Sequence, residues 1–166
     1  MVIRSATRED LPALTEIYNH YVRTSFATFD LDEFSIEQRA SWFEEHQGND
    51  RHVLVVAELD GDIVGYATSS VFRTKAAYDG SVETTVYVAP TAHGHGIGRA
   101  LYTELLAKLV AEPLLHRAYA GIALPNAASV RLHRDCGFTV VGTFTEAGLK
   151  FGTHHDVQWF ERSLDT

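Results

Sequence analysis

Three glycines at alternate positions, Gly94, Gly96 and Gly98, precede a segment with helical periodicity in the stretch AHGHGIGRA. Glycine lets the backbone approach a ligand closely, and the free N–H groups and dipole at a helix N-terminus attract anions. A strand end, a glycine-rich bend and a helix in this order therefore favour a cradle for a diphosphate. The alternative is a tight loop that binds no ligand.

Two other glycine-rich motifs do not fit this run. The phosphate-binding loop of nucleoside triphosphatases requires Gly-Lys followed by Ser or Thr, and the sequence contains no such tripeptide. The dinucleotide fingerprint needs the spacing G-x-G-x-x-G in an early β-α-β unit. Here the spacing is G-x-G-x-G, the run lies in the middle of the chain, and the preceding strand ends at Pro90. We therefore disfavour both motifs.

A carboxylate lies just before the glycine run, in the segment VETTVYV. Alternation along a strand places Glu83, Thr85 and Tyr87 on one face, with the valines and Thr84 on the other. Partial burial raises the pKa of a carboxyl group, which suits it to accept a proton near neutral pH. Glu83 is therefore a candidate general base. The alternative is an edge-strand glutamate in an ion pair.

The order of strands and helices follows from hydrophobic periodicity and from turn and capping signals. Capping pairs at Thr7/Asp10 and Ser35/Gln38 predict two early helices, and Asp60-Gly61 predicts a hairpin turn. Two later helices are predicted after the glycine run and after Pro125. The predicted strands are VIRSA, HVLVVAEL, IVGYATSSVF, SVETTVYVAP, RAYAGIAL, TVVGTFTE and VQWFERSL. The pattern indicates a mixed α/β fold, with a mostly antiparallel central sheet of about seven strands and helices on both faces.

Composition excludes several classes of protein. The 166 residues carry a formal net charge of −8, and their 14 Lys and Arg residues are scattered, which disfavours nucleic-acid binding. The single cysteine, Cys136, cannot form an internal disulfide. The first ten residues lack an apolar signal core, and no apolar run approaches the ~20 residues needed to span a bilayer. We expect a cytoplasmic protein with no nucleic-acid or membrane partner.

The stretches SVETTVYVAPTAHGHGIGRALYTELL, NAASVRLHRDCGF and LKFGTHHDVQWFERSL resemble the Gcn5-related N-acetyltransferase superfamily, and more specifically its phosphinothricin N-acetyltransferase branch. The stretches IYNHYV and FRTKAAY match that branch as well. The similarity covers essentially the whole chain and implies a single N-acetyltransferase domain over residues 1–166. It also implies acetyl-CoA as co-substrate, a small-molecule amine as acceptor, and a homodimer.

The resemblance assigns the cofactor site. The acetyl-CoA motif of the superfamily, [R/Q]-x-x-G-x-[G/A], falls on His93 to Gly98, so His93 replaces the usual Arg or Gln. Backbone N–H groups of this loop would hold the diphosphate, and the end of the preceding strand would pair with the pantetheine arm. Asn126 is expected either to cap the next helix or to bind that arm. The implied cofactor-binding residues are Val86, Tyr87, Val88, His93, Gly94, His95, Gly96, Ile97, Gly98, Arg99, Asn126 and Ser129.

The resemblance also assigns the catalytic and acceptor groups. It implies Glu83 as general base, acting directly or through water, and places His133 where many members carry a tyrosine that protonates the CoA thiolate. A packed core histidine is the alternative for His133. The acceptor would be an amino acid analogue of the phosphinothricin, methionine sulfoximine or methionine sulfone type. The implied substrate-binding residues are Phe72, Arg73, Lys75, Tyr78, Glu83, Thr84 and Thr85.

One departure from the branch concerns the acceptor end. The branch commonly reads K-F-G-x-W, and this chain has His154 in place of the tryptophan. His154 and His155 point to opposite faces of a strand and do not chelate one metal, so we expect no metal site. Acetylation of a protein N-terminus, a lysine or a polyamine, and a CoA-binding module without turnover, are the alternative functions.

Overall fold

The computed structural model describes residues 1–165, which contain a seven-stranded sheet and four α-helices. The strands lie in the order β1-β2-β3-β4-β5-β7-β6, and every neighbouring pair is antiparallel except β4 and β5. The strands are β1 (Val2–Ser5), β2 (Leu54–Leu59), β3 (Asp62–Val71), β4 (Ser81–Val88), β5 (Arg117–Ala123), β6 (Thr139–Lys150) and β7 (Thr153–Ser163).

The helices pack on both faces of this sheet, as predicted. One apolar core lies between the sheet and the pair α3 and α4, and a second lies between the sheet and the pair α1 and α2. The helices are α1 (Leu11–Thr24), α2 (Ile36–Glu44), α3 (Ile97–Val110) and α4 (Ala127–Asp135). The predicted fold class is therefore confirmed.

Local signals set most of the element boundaries. Ser35 accepts a hydrogen bond from the Gln38 N–H, and the Gln38 side chain accepts one from the Ser35 N–H, so α2 begins at the predicted capping box. The hairpin turn at Asp60 and Gly61 has the positive φ values, 53° and 94°, that Gly and Asp tolerate. At Thr7 the prediction is incomplete, because a 3₁₀ turn over Arg8–Asp10 precedes α1.

The last hairpin is longer than predicted. The sequence predicts strands over 139–146 and 157–164, whereas β6 and β7 run on to a tight turn at Phe151 and Gly152. Glycine and polar residues in this stretch obscure the alternation of a strand. A register shift between Phe144 and Gly148, with Glu146 at φ 50°, lets the pairing continue past them.

No helix within residues 1–165 is both long and apolar enough to cross a membrane.

Candidate active site

The two parallel strands at the centre of the sheet separate next to Glu83. Their pairing covers only Ser81–Glu83 against Arg117–Tyr119, and beyond this point neither strand pairs with the other. The backbone of β4 from Thr84 onward is therefore free along one edge. Unpaired N–H and C=O groups at such an edge are available to a ligand that lies between the strands.

A cavity of about 790 Å³ occupies this opening. It runs from the end of α1 and the following loop, past β4 and β5, to the N-terminal ends of α3 and α4. Among the residues predicted from the sequence, its walls include Thr84, Thr85, Val86, Tyr87, Val88, His93, Gly94, Gly96, Ile97, Gly98, Arg99, Asn126, Ser129 and His133.

The glycine run forms the bend before α3. Gly94 and Gly96 have φ values of +83° and +73°, and a side chain at either position would meet nothing within 4 Å. Gly96 caps α3 without a side-chain hydrogen bond, and the first helical bond runs from the Ala100 N–H to the Gly96 carbonyl. The N–H groups of the first turn therefore point free into the bend, where the helix dipole favours an anion.

Gly98 serves a different purpose from the other two glycines. A Cβ there would lie 3.2 Å from the Leu132 side chain of α4 and 3.8 Å from that of Val88. Because Gly98 has no Cβ, α3 and α4 can approach each other at the wall of the cavity. The cradle therefore needs Gly94 and Gly96 for their left-handed backbone and Gly98 for close packing.

The free edge of β4 presents the backbone groups of alternate residues. The Ala89 N–H donates to the Val64 carbonyl of β3 at 2.8 Å. Because backbone groups alternate in direction along a strand, those of Val88 and Val86 point to the opposite side, towards the opening. The Val88 carbonyl already accepts a hydrogen bond from the Tyr21 hydroxyl at 2.5 Å. The groups of Val86 and the Val88 N–H remain for a ligand.

His93 is tied to the protein rather than directed at the bend. Its Nε2 lies 3.0 Å from the Val88 carbonyl oxygen and 2.9 Å from the Tyr21 hydroxyl. His95 is exposed, does not line the cavity, and places Nδ1 3.4 Å from the Ala92 carbonyl oxygen. The structure thus brings His93 to the cavity wall and leaves His95 outside it. Tyr21, which the sequence shows only as part of an apolar helix stripe, is an additional wall residue.

Glu83 lies at the last paired position before the strands part. It is half-buried, its carboxylate makes no hydrogen bond or ion pair with any of residues 1–165, and burial raises its pKa above the 4.5 of an exposed glutamate. Its register partners are Ser70 on β3 and Tyr119 on β5, and paired residues project to the same face. It borders the cavity without being one of its wall residues. The isolated carboxyl group is suited to accept a proton.

The predicted acceptor loop stands beside Glu83 and outside the cavity. The Phe72 ring stacks on Tyr119 with 4.2 Å between centroids, and the Arg73 guanidinium lies 5.0 Å from the Phe72 centroid and 5.8 Å from that of Tyr78. Lys75 makes no ion pair within residues 1–165 and is exposed. Thr84 and Thr85, by contrast, lie in the cavity wall.

The loop between α1 and α2 closes the other end of the opening. Phe26 lines the cavity and stacks on His155 with centroids 4.2 Å apart. The buried Lys150 donates to the Thr28 carbonyl at 2.8 Å. The Phe29 ring occupies the space where a side chain at position 148 would be, so only glycine fits there. His154, the departure noted in the sequence, is exposed on β7.

The remaining predicted residues lie on α4. The Asn126 side chain accepts a hydrogen bond from the Ser129 N–H at 3.1 Å, which confirms the capping role. His133 is buried, and burial lowers its pKa below 6.5. Both of its ring nitrogens lie within hydrogen-bonding distance of groups inside the protein. No group of three or more His, Cys, Asp or Glu side chains that could hold a metal ion occurs among residues 1–165.

The family model for the acetyltransferase (GNAT) domain matches residues 3–159. This chain belongs to the GNAT acetyltransferase family. Membership makes it an acetyl-CoA-dependent N-acetyltransferase, and the glycine bend, the free β4 edge and the cavity between them suit that co-substrate.

Three known GNAT proteins illustrate the similarity. A phosphinothricin N-acetyltransferase of Streptomyces coelicolor is 53% identical over 164 residues, which cover 98% of this chain and 95% of the relative. A phosphinothricin acetyltransferase of Sinorhizobium meliloti, solved with AcCoA, has a TM-score of 0.94 and 34% identity, and the match covers 99% of this chain and 88% of that one. A ribosomal-protein-alanine N-acetyltransferase of Brucella melitensis has a TM-score of 0.93 and 40% identity, covering 98% and 99%.

Proposed function

We propose that this GNAT enzyme transfers the acetyl group of acetyl-CoA to the amine of a small amino acid analogue of the phosphinothricin or methionine sulfoximine and sulfone type. One observation carries the proposal: a single cavity joins the anion cradle of α3 to the gap between β4 and β5, and Glu83 stands where that gap begins. The names of the Streptomyces and Sinorhizobium relatives support the class of acceptor.

Glu83 acts as the general base in this proposal. An amine attacks a thioester only when it is unprotonated, so a base must remove a proton from it, directly or through one water. Burial raises the pKa of Glu83, and no residue from 1 to 165 neutralises its charge by an ion pair or hydrogen bond. The carboxylate is therefore free to accept a proton, and burial makes it more basic than an exposed glutamate.

The cofactor residues act mainly through their backbone. The N–H groups from Gly94 to Arg99 hold the diphosphate, and the backbone of Val86 and the Val88 N–H pair with the pantetheine arm. An N–H of this strand faces the thioester oxygen and stabilises the negative charge that develops on that oxygen. Asn126 and Ser129 at the start of α4 border the same arm. His133 supplies the proton that the leaving thiolate takes up.

The closed end of the cavity favours a small acceptor over a polypeptide. The loop after α1 is held against the last hairpin by the Phe26–His155 stack and by the Lys150 bond to Thr28. A peptide needs an open groove, whereas we place a single amino acid between this loop and the Phe72–Tyr78 segment. Arg73 and Lys75 offer positive charge for the anionic group of such an acceptor.

An acceptor panel tests this proposal. Release of free CoA is measured with acetyl-CoA and each of phosphinothricin, methionine sulfoximine, methionine sulfone, natural amino acids, polyamines and an alanine-starting peptide. We expect kcat/KM for the best amino acid analogue to exceed that for the peptide and the polyamines at least ~100-fold, since a site shaped for one acceptor rejects poorly matched ones strongly. Turnover of the peptide alone would refute the small-acceptor assignment, and no turnover with any amine would favour a CoA-binding module.

We also propose that the enzyme forms a homodimer through β6. This strand is at the edge of the sheet, and the large apolar side chains of Val140, Val141, Phe144 and Leu149 are 45% to 61% exposed on it. Such a cluster on an edge strand is typical of an interface. Sedimentation equilibrium is expected to give twice the chain mass of 18.4 kDa, and replacing Val141 and Phe144 with Lys should give the monomer. A wild-type mass of 18.4 kDa would contradict the dimer.

The single domain over 1–166, the cytoplasmic location and the lack of nucleic-acid and membrane partners stay predictions from the sequence.

A further inference from the structure

Both ring nitrogens of His133 have hydrogen-bonding partners inside the protein. Nδ1 lies 2.8 Å from the Ser129 carbonyl oxygen, and Nε2 lies 2.8 Å from the Tyr102 hydroxyl. A carbonyl oxygen can only accept, so Nδ1 carries a proton in this arrangement. The imidazole is 3% exposed. It therefore has no free nitrogen to present to a leaving group in the cavity.

Tyr102 connects His133 to the strand that carries Glu83. The side chain of Tyr102 is fully buried on α3, and its hydroxyl oxygen lies 3.2 Å from Thr84 Oγ1. Thr84 in turn donates to the Tyr119 carbonyl at 3.1 Å. Thr84 is the first residue beyond the last β4–β5 pair, and both Thr84 and His133 line the cavity, whereas Tyr102 lies behind them.

The hydrogen bonds of His133, Tyr102 and Thr84 can all be made in two protonation states of His133. When His133 is neutral, its Nε2 accepts from the Tyr102 hydroxyl. When His133 is charged, Nε2–H donates to Tyr102, Tyr102 donates to Thr84, and Thr84 donates to the Tyr119 carbonyl, so every donor has an acceptor. The two states differ by one proton and by rotation of the hydroxyl groups. The network can therefore gain or lose a proton without leaving a buried polar group unpaired.

We propose that Tyr102 is a positioning residue through which His133 acts, and that the proton of His133 reaches the leaving sulfur by way of the Tyr102 and Thr84 hydroxyls. The inference rests on the proposed acetyl transfer and adds a residue to it. In the step concerned, the C–S bond of the tetrahedral intermediate breaks and its electron pair stays on sulfur. The Thr84 hydroxyl turns from the Tyr119 carbonyl to the sulfur and gives it its proton. Thr84 then takes the proton of Tyr102, and Tyr102 takes that of Nε2.

The charge balances in this step, because imidazolium and thiolate become imidazole and thiol. Solvent restores the proton to His133 between turnovers. Burial of His133 lowers its pKa, which makes the imidazolium a stronger acid. Tyr102 itself contacts neither the co-substrate nor the acceptor in this arrangement.

Two isosteric substitutions and their combination test the proposal. Tyr102→Phe and Thr84→Val each remove one hydroxyl and keep the volume. We expect each to lower kcat about 10-fold with the KM for acetyl-CoA unchanged, and the double variant to lose no more than either single one, since the two hydroxyls act in one chain. Tyr66→Phe is the matched control: Tyr66 is a buried tyrosine in the core under α1 and α2, and its kcat should stay at the wild-type value.

A spectroscopic measurement separates this inference from the proposed function. The ¹⁵N shifts of the imidazole should show neutral His133 protonated at Nδ1 in both the wild type and Tyr102→Phe, because the Ser129 carbonyl holds that proton. The Nε2 shift should move in Tyr102→Phe towards that of a nitrogen that accepts no hydrogen bond. An unchanged Nε2 shift in that variant, full activity of both single variants, or losses that multiply in the double variant would each overturn the inference. An enzyme inactive on all amines would refute the proposed function alone, because the tautomer experiment needs no turnover. If Tyr102→Phe fails to fold, Thr84→Val carries the kinetic test.

Discussion

Replacing Glu83 with Gln is expected to lower kcat/KM for the amine about 10³-fold, within the range that a general base contributes. Glutamine keeps the shape and the polarity of the side chain but cannot accept a proton. The KM for acetyl-CoA should stay within about twofold of wild type, because Glu83 lies beside the cavity and does not belong to the cradle or to the free edge of β4. Steady-state kinetics at saturating acetyl-CoA measure the effect.

The pH profile provides an independent readout of the same group. The ionised form of Glu83 is the active one, and burial raises its pKa above 4.5. The acid limb of kcat/KM, where activity falls as pH decreases, should therefore lie above pH 4.5 in the wild type and vanish in Glu83→Gln. Glu45→Gln, at an exposed position after α2, is the control and should keep both rate and profile. Wild-type turnover in Glu83→Gln would remove Glu83 from the mechanism.

The order and type of nearly all elements were accessible from the sequence, because each has a local cause. The capping box at Ser35 and the turn at Asp60-Gly61 act over three or four residues, so they can be recognised without the fold. The extension of β6 and β7 could not be predicted, since pairing across a register shift depends on the partner strand. Likewise, the parting of β4 and β5 is a property of two strands some thirty residues apart.

The backbone geometry of the proposed cofactor half of the site was predictable for a similar reason. The glycine bend and the start of α3 are contiguous, and their backbone geometry follows from the residue types. The acceptor half brings together distant segments: Phe26 meets His155, and Lys150 meets the carbonyl of Thr28. Spacing alone cannot show such contacts, and the position of the Phe72–Tyr78 segment outside the cavity was not foreseen.

Tyr102 was the most consequential residue that sequence reasoning missed. It follows Leu101 in the helix predicted after the glycine run, and its position in the sequence does not distinguish it from a core residue. Its hydroxyl group could have indicated a role, because the hydroxyl of a buried tyrosine usually has a hydrogen-bond partner. Two candidate partners, Thr84 and His133, were already in view as site residues. The Tyr102 hydroxyl contacts both of them, and this depends on how α3 packs on the sheet, which the sequence does not show.

Replacing Gly96 with Asp is expected to weaken acetyl-CoA binding about 100-fold, a loss of about 2.7 kcal/mol. The Gly96 backbone is left-handed, with φ +73°, and Asp tolerates that region better than most residues, so the protein should still fold. Its carboxylate would enter open space at the mouth of the cradle. A like charge about 6 Å from a phosphate, at an effective dielectric constant of about 20, costs about 3 kcal/mol. Isothermal titration calorimetry with CoA gives the Kd directly.

Gly152→Asp separates this repulsion from backbone strain. Gly152 has the same φ of +73°, and a side chain there would also meet nothing within 4 Å, but it lies at the turn between β6 and β7, away from the cavity. Both variants should lose a similar amount of unfolding free energy, about 1 kcal/mol, while only Gly96→Asp should lose affinity for CoA. The affinity loss should also shrink as salt rises, since ions screen the repulsion. Equal Kd values for the two variants would show that the diphosphate binds elsewhere, and the assignment of the α3 cradle would then be wrong.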